Sequence, residues 1–403
     1  MKTSFSVVAI IVLVLVLLGT YREAQFGTTA LSRPELVVGP SVEVAIVANA
    51  VGGTLTFINL ASRQVLGERN VIADGIRPGV FRDPLQWALQ PLVERSGGKN
   101  YAQDTDLSPD GAVVYVSRGF LGDVIAMEIA TGDVLWRTPI SGLRADHMAV
   151  SADGKRLYVS ALISSGNVVD VLDAHTGKHI GDFPGGSWPH DIHENSTGDK
   201  IYVASLGDMT ADLAERGNDP EAYLVSVVDA DGFQTLAKHR FRAGVRPFAV
   251  TADEGRVYAQ LSNEHSVVVY SLAQRELLHE LALPVAEGVT EADWDFESPH
   301  HGLALSGDES TLCLAGRASD YAALVDAESL TLRSAVPTGD APSWAAIDST
   351  DTLCVLANNR SDDVSLIALV EGMEVARLPA GRGPKHVTIG KVPKAVLDSL
   401  ARD

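Results

Sequence analysis

Apolar and polar positions follow one another in a repeated order along most of this chain. Each unit reads as an apolar strand, a polar turn, a strand centred on Tyr-Val, a loop and a further apolar strand, as in DHMAVSADGKRLYVSALISSGNVVDVLDA at 146–174. Further copies lie at 104–130, 191–230, 246–272, 300–327 and 343–369. A period of roughly forty residues indicates a repeat architecture, in which each unit is one small antiparallel sheet that buries its faces against its neighbours. The pattern therefore predicts an all-β fold, a β-propeller of four-stranded antiparallel blades.

The seventh blade must be assembled from both ends of the chain. Residues 43–70 supply a second, third and fourth strand with no first strand before them, whereas PKHVTIG at 384–390 is a first strand with nothing after it. Pairing of these segments completes the blade and removes two open sheet edges, which would otherwise promote aggregation. We therefore expect one seven-bladed propeller over residues 43–390, closed by pairing of the C-terminal strand with the N-terminal blade.

The N-terminal residues predict export. Lys2 precedes an uninterrupted apolar run at 7–18, a length typical of the core of a signal peptide and short for a membrane span. We predict a signal peptide or signal anchor at 1–24, a linker at 25–42 and a C-terminal tail at 391–403. Either form of the leader places the propeller in the periplasm or outside the cell, with membrane contact only through an uncleaved anchor.

Charge and motifs narrow the classes of partner. The formal net charge of −20 argues against nucleic acid, because binding to phosphates rests on Lys and Arg. The sequence has no Walker motif, no GxGxxG opening a helix, no GxSxG and no HExxH, so nucleotide binding and serine hydrolysis have no support. A small-molecule ligand or substrate, or a protein docked on one face of the disc, is compatible with this composition.

The chain contains two cysteines, Cys313 and Cys354. They occupy the position in successive blades where other repeats have Tyr, which predicts two small buried hydrophobic side chains. A disulfide would need Cα atoms within about 7 Å, and their separate blades make that pairing unexpected. Covalent c-type haem is excluded because there is no CxxCH motif.

The first strands of the blades are expected to begin on one face of the disc, the entry face, around the central axis. Six of the eleven histidines fall at these starts: His147, His190, His193, His300, His301 and His386. Imidazole groups that converge from separate strands are ligands that transition metals prefer, which predicts bound copper or iron. Carboxylates and cations at the same starts are candidate catalytic residues: Asp104, Asp146, Asp191, Arg246 and Lys385. The two cations could hold an anionic group of a substrate.

Three segments exceed the basic repeat, at 71–102, 205–222 and 285–298, and all three are expected to connect strands at the entry face. The third contains five acidic residues and no basic one: Glu287, Glu291, Asp293, Asp295 and Glu297. This composition predicts either an acidic lip that attracts cations or a solvated acidic loop.

The repeats SPDGAVVYVS, SADGKRLYVS and TGDKIYVAS resemble those of YVTN-type seven-bladed propellers, which include lactonase-like and cytochrome d1-like proteins. The His-lined entry face is similar to that of the haem d1 domain of nitrite reductases and of copper-bearing propellers such as nitrous oxide reductase and thiocyanate dehydrogenase. The resemblance implies the fold directly. It does not imply one function, because this architecture hosts several functions.

Three functions therefore remain open at the level of the sequence. The leading interpretation is a metal-dependent enzyme of oxidoreductase type that transforms a small molecule. The second is a non-catalytic binding or assembly module that uses the entry face to hold a partner. The third is a lactonase-like hydrolase or isomerase, in which a His or Asp is the base and a cation polarises a carbonyl.

Overall fold

The computed structural model describes residues 39–73, 75, 83–164 and 166–400, together with Val14 and Leu17. Most of the predicted leader and of the predicted linker lies outside the described residues, as do the last three residues of the chain. Within the described part, no helix combines the length and the apolar character that a membrane crossing requires.

The described strands form seven four-stranded antiparallel sheets, and each sheet is one blade. Blade 1 contains β28 (Pro384–Pro393), β1 (Ser41–Asn49), β2 (Thr54–Asn59) and β3 (Gln64–Asn70). Blade 2 contains β4 (Asp104–Leu107), β5 (Val113–Arg118), β6 (Asp123–Glu128) and β7 (Val134–Pro139). Blade 3 contains β8 (Arg144–Val150), β9 (Arg156–Leu162), β10 (Val168–Asp173) and β11 (His179–Pro184).

The remaining blades follow in chain order. Blade 4 contains β12 (Pro189–Glu194), β13 (Lys200–Ser205), β14 (Leu224–Asp229) and β15 (Thr235–Arg240). Blade 5 contains β16 (Val245–Val250), β17 (Arg256–Leu261), β18 (Ser266–Ser271) and β19 (Glu276–Ala282). Blade 6 contains β20 (Leu303–Leu305), β21 (Thr311–Gly316), β22 (Tyr321–Asp326) and β23 (Thr331–Pro337). Blade 7 contains β24 (Pro342–Ile347), β25 (Leu353–Asn358), β26 (Asp363–Ala368) and β27 (Met373–Pro379).

Pairing of the two chain ends closes the ring, as the sequence predicts. β28 pairs with β1 in antiparallel register from Ser41 opposite Pro393 to Ala48 opposite His386. The strand is followed by α3 (Lys394–Leu400), whose apolar side chains pack with those of blades 1 and 2 in one buried cluster. The α1 helix (Pro84–Arg95) and the short α2 helix (Leu213–Asn218) lie in the first two of the long connecting segments.

Burial of strands between blades explains the hydrophobic pattern. Every residue of the second strand β5 is buried, whereas the fourth strand β23 alternates between exposed and covered positions. Strands with both faces covered read as continuous apolar runs, and edge strands alternate. Tyr115 and Leu157 contribute to one such buried layer, between blades 2 and 3.

The repeated Ser-x-Asp-Gly sequence forms the turn between first and second strands. In blade 2, Oδ1 of Asp110 accepts hydrogen bonds from Oγ of Ser108 (2.5 Å) and N of Ala112 (3.2 Å). Gly111 has φ of 69°, and a Cβ there would lie 2.1 Å from the carbonyl oxygen of Lys391. Glycine is therefore required both by the left-handed backbone and by the contact with blade 1.

Cys313 and Cys354 form a disulfide, with their Cα atoms 6.5 Å apart. The expectation that they would remain unpaired was wrong, because β21 and β25 lie back to back in the packed layer between blades 6 and 7. The expectation of burial is confirmed, since both side chains are fully buried.

Candidate metal centre

Three histidine rings from three blades meet at the axis of the propeller. His147 lies in β8, His190 in β12, and His301 precedes β20 by two residues. The ring centroids are 4.6 Å apart for His147 and His190, 5.5 Å for His190 and His301, and 6.1 Å for His147 and His301. One ring nitrogen from each lies within 4.8 Å of the others, and all three side chains are buried.

β-Bulges in the first strands β8 and β12 direct the side chains of His147 and His190 inward. The register shifts between Ala145 and Met148 in β8 and between Pro189 and Ile192 in β12. A bulge places an extra residue on one strand and re-aims its side chain, so two consecutive residues can both contribute to the site. This explains how the Asp146-His147 pair reaches a single site.

Each ring of the group is held through its Nδ1 atom. The partners are Oδ2 of Asp104 at 2.9 Å for His147, Oδ2 of Asp146 at 2.6 Å for His190, and the carbonyl oxygen of Ser343 at 2.9 Å for His301. Because a carbonyl oxygen only accepts, Nδ1 of His301 carries the proton and its Nε2 keeps a lone pair.

The Nε2 atoms of His147 and His190 are buried, and neither has a hydrogen-bond partner among the described residues. Leaving a buried polar atom unpaired costs about 1–3 kcal/mol, and a metal ion bound between the rings would satisfy both of these nitrogen atoms. Histidine ligands of metals usually donate their other N–H to a carboxylate or carbonyl, which is the arrangement found here. The donor set therefore fits a transition metal.

The surrounding charges set the protonation of the group. Burial lowers the pKa of His190 and, more strongly, that of His301, so both rings are neutral at pH 7. Burial also opposes the charged form of His147, but the carboxylates of Asp146 and Asp104 outweigh it and raise its pKa. The nearby histidines in turn hold the pKa of both carboxyls below the ordinary value despite burial.

His386 lies beside this group and contacts the carboxylate of Asp104, which also holds His147. Asp104, His147 and His386 form a second cluster with candidate ligand atoms within 4.8 Å of one another. Oδ1 of Asp104 lies 2.9 Å from Nδ1 of His386, without the alignment of a hydrogen bond. Trp344 stacks on the His147 ring with centroids 4.8 Å apart and contacts the His386 ring in a tilted arrangement with centroids 4.1 Å apart. Because Oδ2 of Asp104 also accepts from N of Met148, this carboxylate joins blades 2 and 3 as well as the rings.

Asp191 and His193, also predicted as site residues, form a separate pair outside both clusters. Nε2 of His193 lies 3.1 Å from Oδ2 of Asp191, and the His193 ring packs edge-on against Phe248. Asp191 accepts a hydrogen bond from N of Phe248, which joins blades 4 and 5. The geometry assigns this pair to contacts between blades.

His300, the neighbour of His301, also faces away from the group. Its Nε2 lies 3.2 Å from Nδ1 of His265, and its ring contacts Tyr321 edge-on. Burial lowers the pKa of His300 to about 3. His301 therefore faces the axis, whereas His300 contacts side chains of blades 5 and 6.

A cavity of about 270 Å³ opens above the histidine group. His190 and His301 form part of its lining, together with seven charged residues: Lys99, Arg144, Asp146, Arg246, Asp295, Arg317 and Lys385. Burial lowers the pKa of Arg144 and Arg246 to about 10. Burial, followed by the charge of Arg317, lowers the pKa of Lys385 to about 7.

Arg144 and Arg317 were not predicted as site residues from the sequence. Arg144 stands two residues before Asp146 in β8, and residues at this spacing lie on one side of a strand. The spacing to Asp146 could therefore have identified Arg144. Arg317 follows β21 in a loop, where no periodicity marks its direction.

The long connecting segments form the walls of the cavity. Residues 96–100 after α1, Leu206 and Met209 before α2, and residues 295, 296 and 298 all line it. The third segment is not a free acidic lip. Asp295 pairs with Arg317 (2.7 Å) and Arg360 (3.0 Å), and a further bond links Glu297 to Arg216 at 2.7 Å. Two of its carboxylates are thus neutralised by arginines.

Comparisons with known proteins support the fold. No protein-family model matches the sequence, and no curated protein matches it. Among solved structures, a chain of hydrazine synthase from Kuenenia stuttgartiensis is similar, with a TM-score of 0.60 and 17% identity, over 80% of this chain and 91% of that chain. The chain is a seven-bladed β-propeller. At this identity the likeness concerns architecture alone.

Proposed function

We propose that this propeller is an exported metalloenzyme of oxidoreductase type, which binds copper or iron and transforms a small molecule. One observation carries the proposal: His147, His190 and His301 converge with each Nδ1 held by an acceptor, and the Nε2 atoms of His147 and His190 are buried without a partner among the described residues. Imidazole ligands suit copper and iron, and such a metal would supply a redox-active, Lewis-acidic centre when bound.

Asp104 and Asp146 are assigned as positioning residues in this proposal. Each holds the Nδ1 atom of one ligand ring, which fixes the tautomer and increases the donor strength of Nε2. Gln103 donates to Oδ1 of Asp146 at 2.6 Å and so fixes the carboxylate in turn. Trp344 covers the His147 ring and keeps water from that side.

Two observations support the assignment of a substrate cavity and of export. Arg246 and Lys385 line the cavity that His190 and His301 also line, so a bound molecule would contact the cations and the candidate metal ligands together. The Cys313–Cys354 disulfide agrees with a periplasmic or extracellular location, since disulfides persist in oxidising compartments.

The geometry favours this function over the two alternatives. A lactonase-like enzyme would use a hard cation, and hard cations prefer oxygen ligands, whereas this group offers three imidazole nitrogens. A module that only docks a protein partner does not require three convergent buried histidines beside a cavity.

Metal analysis of the full-length protein tests the proposal. The protein is purified from an export-competent host, its copper and iron are measured by mass spectrometry, and it is reconstituted with each metal in turn. We expect about one equivalent of one metal per chain. A content below about a tenth of an equivalent after both reconstitutions would contradict the proposal.

A further inference from the structure

We propose that the cavity above the histidine group binds a small organic anion, with a carboxylate or similar head at the arginines and an apolar body against Trp188, Leu162 and Leu206. The identification of this anion as the substrate rests on the proposed function. The binding itself does not, because it follows from the charges and the apolar wall of the cavity.

The charges of the cavity favour an anionic ligand. Five cationic side chains line it, namely Lys99, Arg144, Arg246, Arg317 and Lys385, against two carboxylates, Asp146 and Asp295. Both carboxylates are already engaged, the first by His190 and Gln103 and the second by Arg317 and Arg360. Among the described residues, the cavity therefore carries an excess of positive charge within a protein of formal net charge −20.

Two of these guanidinium groups are buried without a carboxylate bonded to them. Arg144 is 2% exposed, and its hydrogen bonds go to backbone carbonyls of Gly97 and Gly98 and to the amide of Gln103. A buried charge is costly unless it is paired. The bound anion would supply the missing partner.

Arg246 repeats this arrangement in blade 5. It is 3% exposed, its Nε donates to Oγ of Ser262 at 2.9 Å, and a second nitrogen donates to the carbonyl oxygen of Phe296. Lys385 has no hydrogen-bond or ion-pair partner among the described residues. An anionic head between Arg246 and Lys385 would be bonded from two blades.

Part of the cavity wall is apolar, which argues for an organic rather than an inorganic anion. Leu162, Trp188 and Leu206 form a buried cluster, with Ile163 and Met209 packed against it, and four of these five side chains line the cavity. Ligand sites of this kind combine apolar walls with a few polar groups that fix orientation. An inorganic anion would leave the apolar wall in contact with water.

Trp188 is held in this wall by an unusual backbone conformation. Its φ is 53°, in the left-handed region that bulky residues rarely adopt. Its carbonyl oxygen accepts a hydrogen bond from N of Leu206 at 3.0 Å, and it stands two residues before His190. Strain of this kind persists where surrounding contacts impose it, often at ligand sites.

The volume sets the size of the ligand. A cavity of about 270 Å³ lies just below the range of about 300–1,000 Å³ for sites that hold drug-sized ligands, so it suits a smaller molecule. Benzoate, with a carboxylate and one aromatic ring, is therefore a suitable probe.

The experiment measures binding of four probes to the full-length protein by calorimetry, as purified and again after metal removal by a chelator. The probes are benzoate, acetate, benzyl alcohol and benzylamine. We expect benzoate to bind at least about tenfold more tightly than the other three in both preparations. Arg246→Gln should weaken benzoate about tenfold or more, whereas the exposed Arg275→Gln should not. Trp188→Leu should weaken benzoate and leave acetate within about twofold.

Equal binding of acetate and benzoate, preference for benzylamine, or no binding of any probe to the wild type would each overturn the inference. The chelated preparation separates this inference from the proposed function. Benzoate binding in a protein that takes up no metal would contradict the proposed function and support the anion site. Metal uptake without benzoate binding would support the proposed function and contradict the anion site.

Discussion

Nδ1 of His190 lies 2.6 Å from Oδ2 of Asp146, and both side chains are almost completely buried. The carboxylate comes from blade 3 and the imidazole from blade 4, so this contact fixes a ring across a blade boundary. Because Asp146 also accepts from Gln103 of blade 2, three blades determine the direction of a single Nε2 atom.

Asp146→Asn should weaken metal binding about 10–100-fold, because the amide cannot supply the charge that stabilises Nδ1–H of His190. Competition with a chelator measures the affinity, and far-ultraviolet circular dichroism checks the fold. Asp153→Asn, in an exposed turn, is the matched control. Affinities of Asp146→Asn and wild type within twofold of each other would show that this contact does not support a metal ligand.

The disulfide should contribute about 2–4 kcal/mol to the free energy of unfolding, because it restrains the unfolded chain across a separation of 41 residues. The double variant Cys313→Ala and Cys354→Ala is compared with the wild type by urea denaturation. The double variant should keep its metal, since both cysteines lie between blades. Two reactive thiols in denatured, unreduced wild type would contradict the pairing.

Asp106 should make the stability depend on pH. Burial raises its pKa to about 7 from an ordinary 3.8. The protonated form therefore stabilises the fold fully below about pH 4, and this contribution is lost as the pH rises through 7. Between pH 5 and 8 the free energy of unfolding of the wild type should fall by about 1 kcal/mol or more relative to Asp106→Asn. Parallel stability profiles in the two proteins would exclude this role.

Gly111→Ala should destabilise the protein by about 1–3 kcal/mol or more, because φ is 69° and the added Cβ would meet the Lys391 carbonyl at 2.1 Å. Gly217→Ala is the control, since its Cβ position has no atom within 4 Å. Thermal unfolding compares the two variants. A melting temperature equal to that of the wild type for Gly111→Ala would show that the close contact with β28 is not made in solution.

The fold was predictable because each blade repeats the same signal. The turn at Asp110-Gly111 and its equivalents mark where every first strand ends, so the unpaired strand at 384–390 could be assigned to the incomplete blade at 43–70. The disulfide was not predictable. Whether the side chains of Cys313 and Cys354 point toward each other depends on packing between blades, and the repeat does not encode that packing.

The candidate site was predictable in part for the same reason. The strand starts identified His147 and His190, which bulges turn toward the axis. They could not distinguish His301 from His300, because adjacent residues share one position in the repeat. Arg317 was missed because its loop follows no periodic pattern.

The adjacent pair of histidines provides the most direct test of the central claim, that three Nε2 atoms at the axis bind a transition metal. Wild type, His301→Ala and His300→Ala are reconstituted side by side, and bound copper and iron are measured after removal of free metal. Both replaced side chains are buried, so each variant loses one buried imidazole ring and the two losses of folding stability are comparable. We expect His301→Ala to lose at least about tenfold in affinity while His300→Ala retains the wild-type stoichiometry. Equal retention by both variants, or greater loss in His300→Ala, would contradict the account.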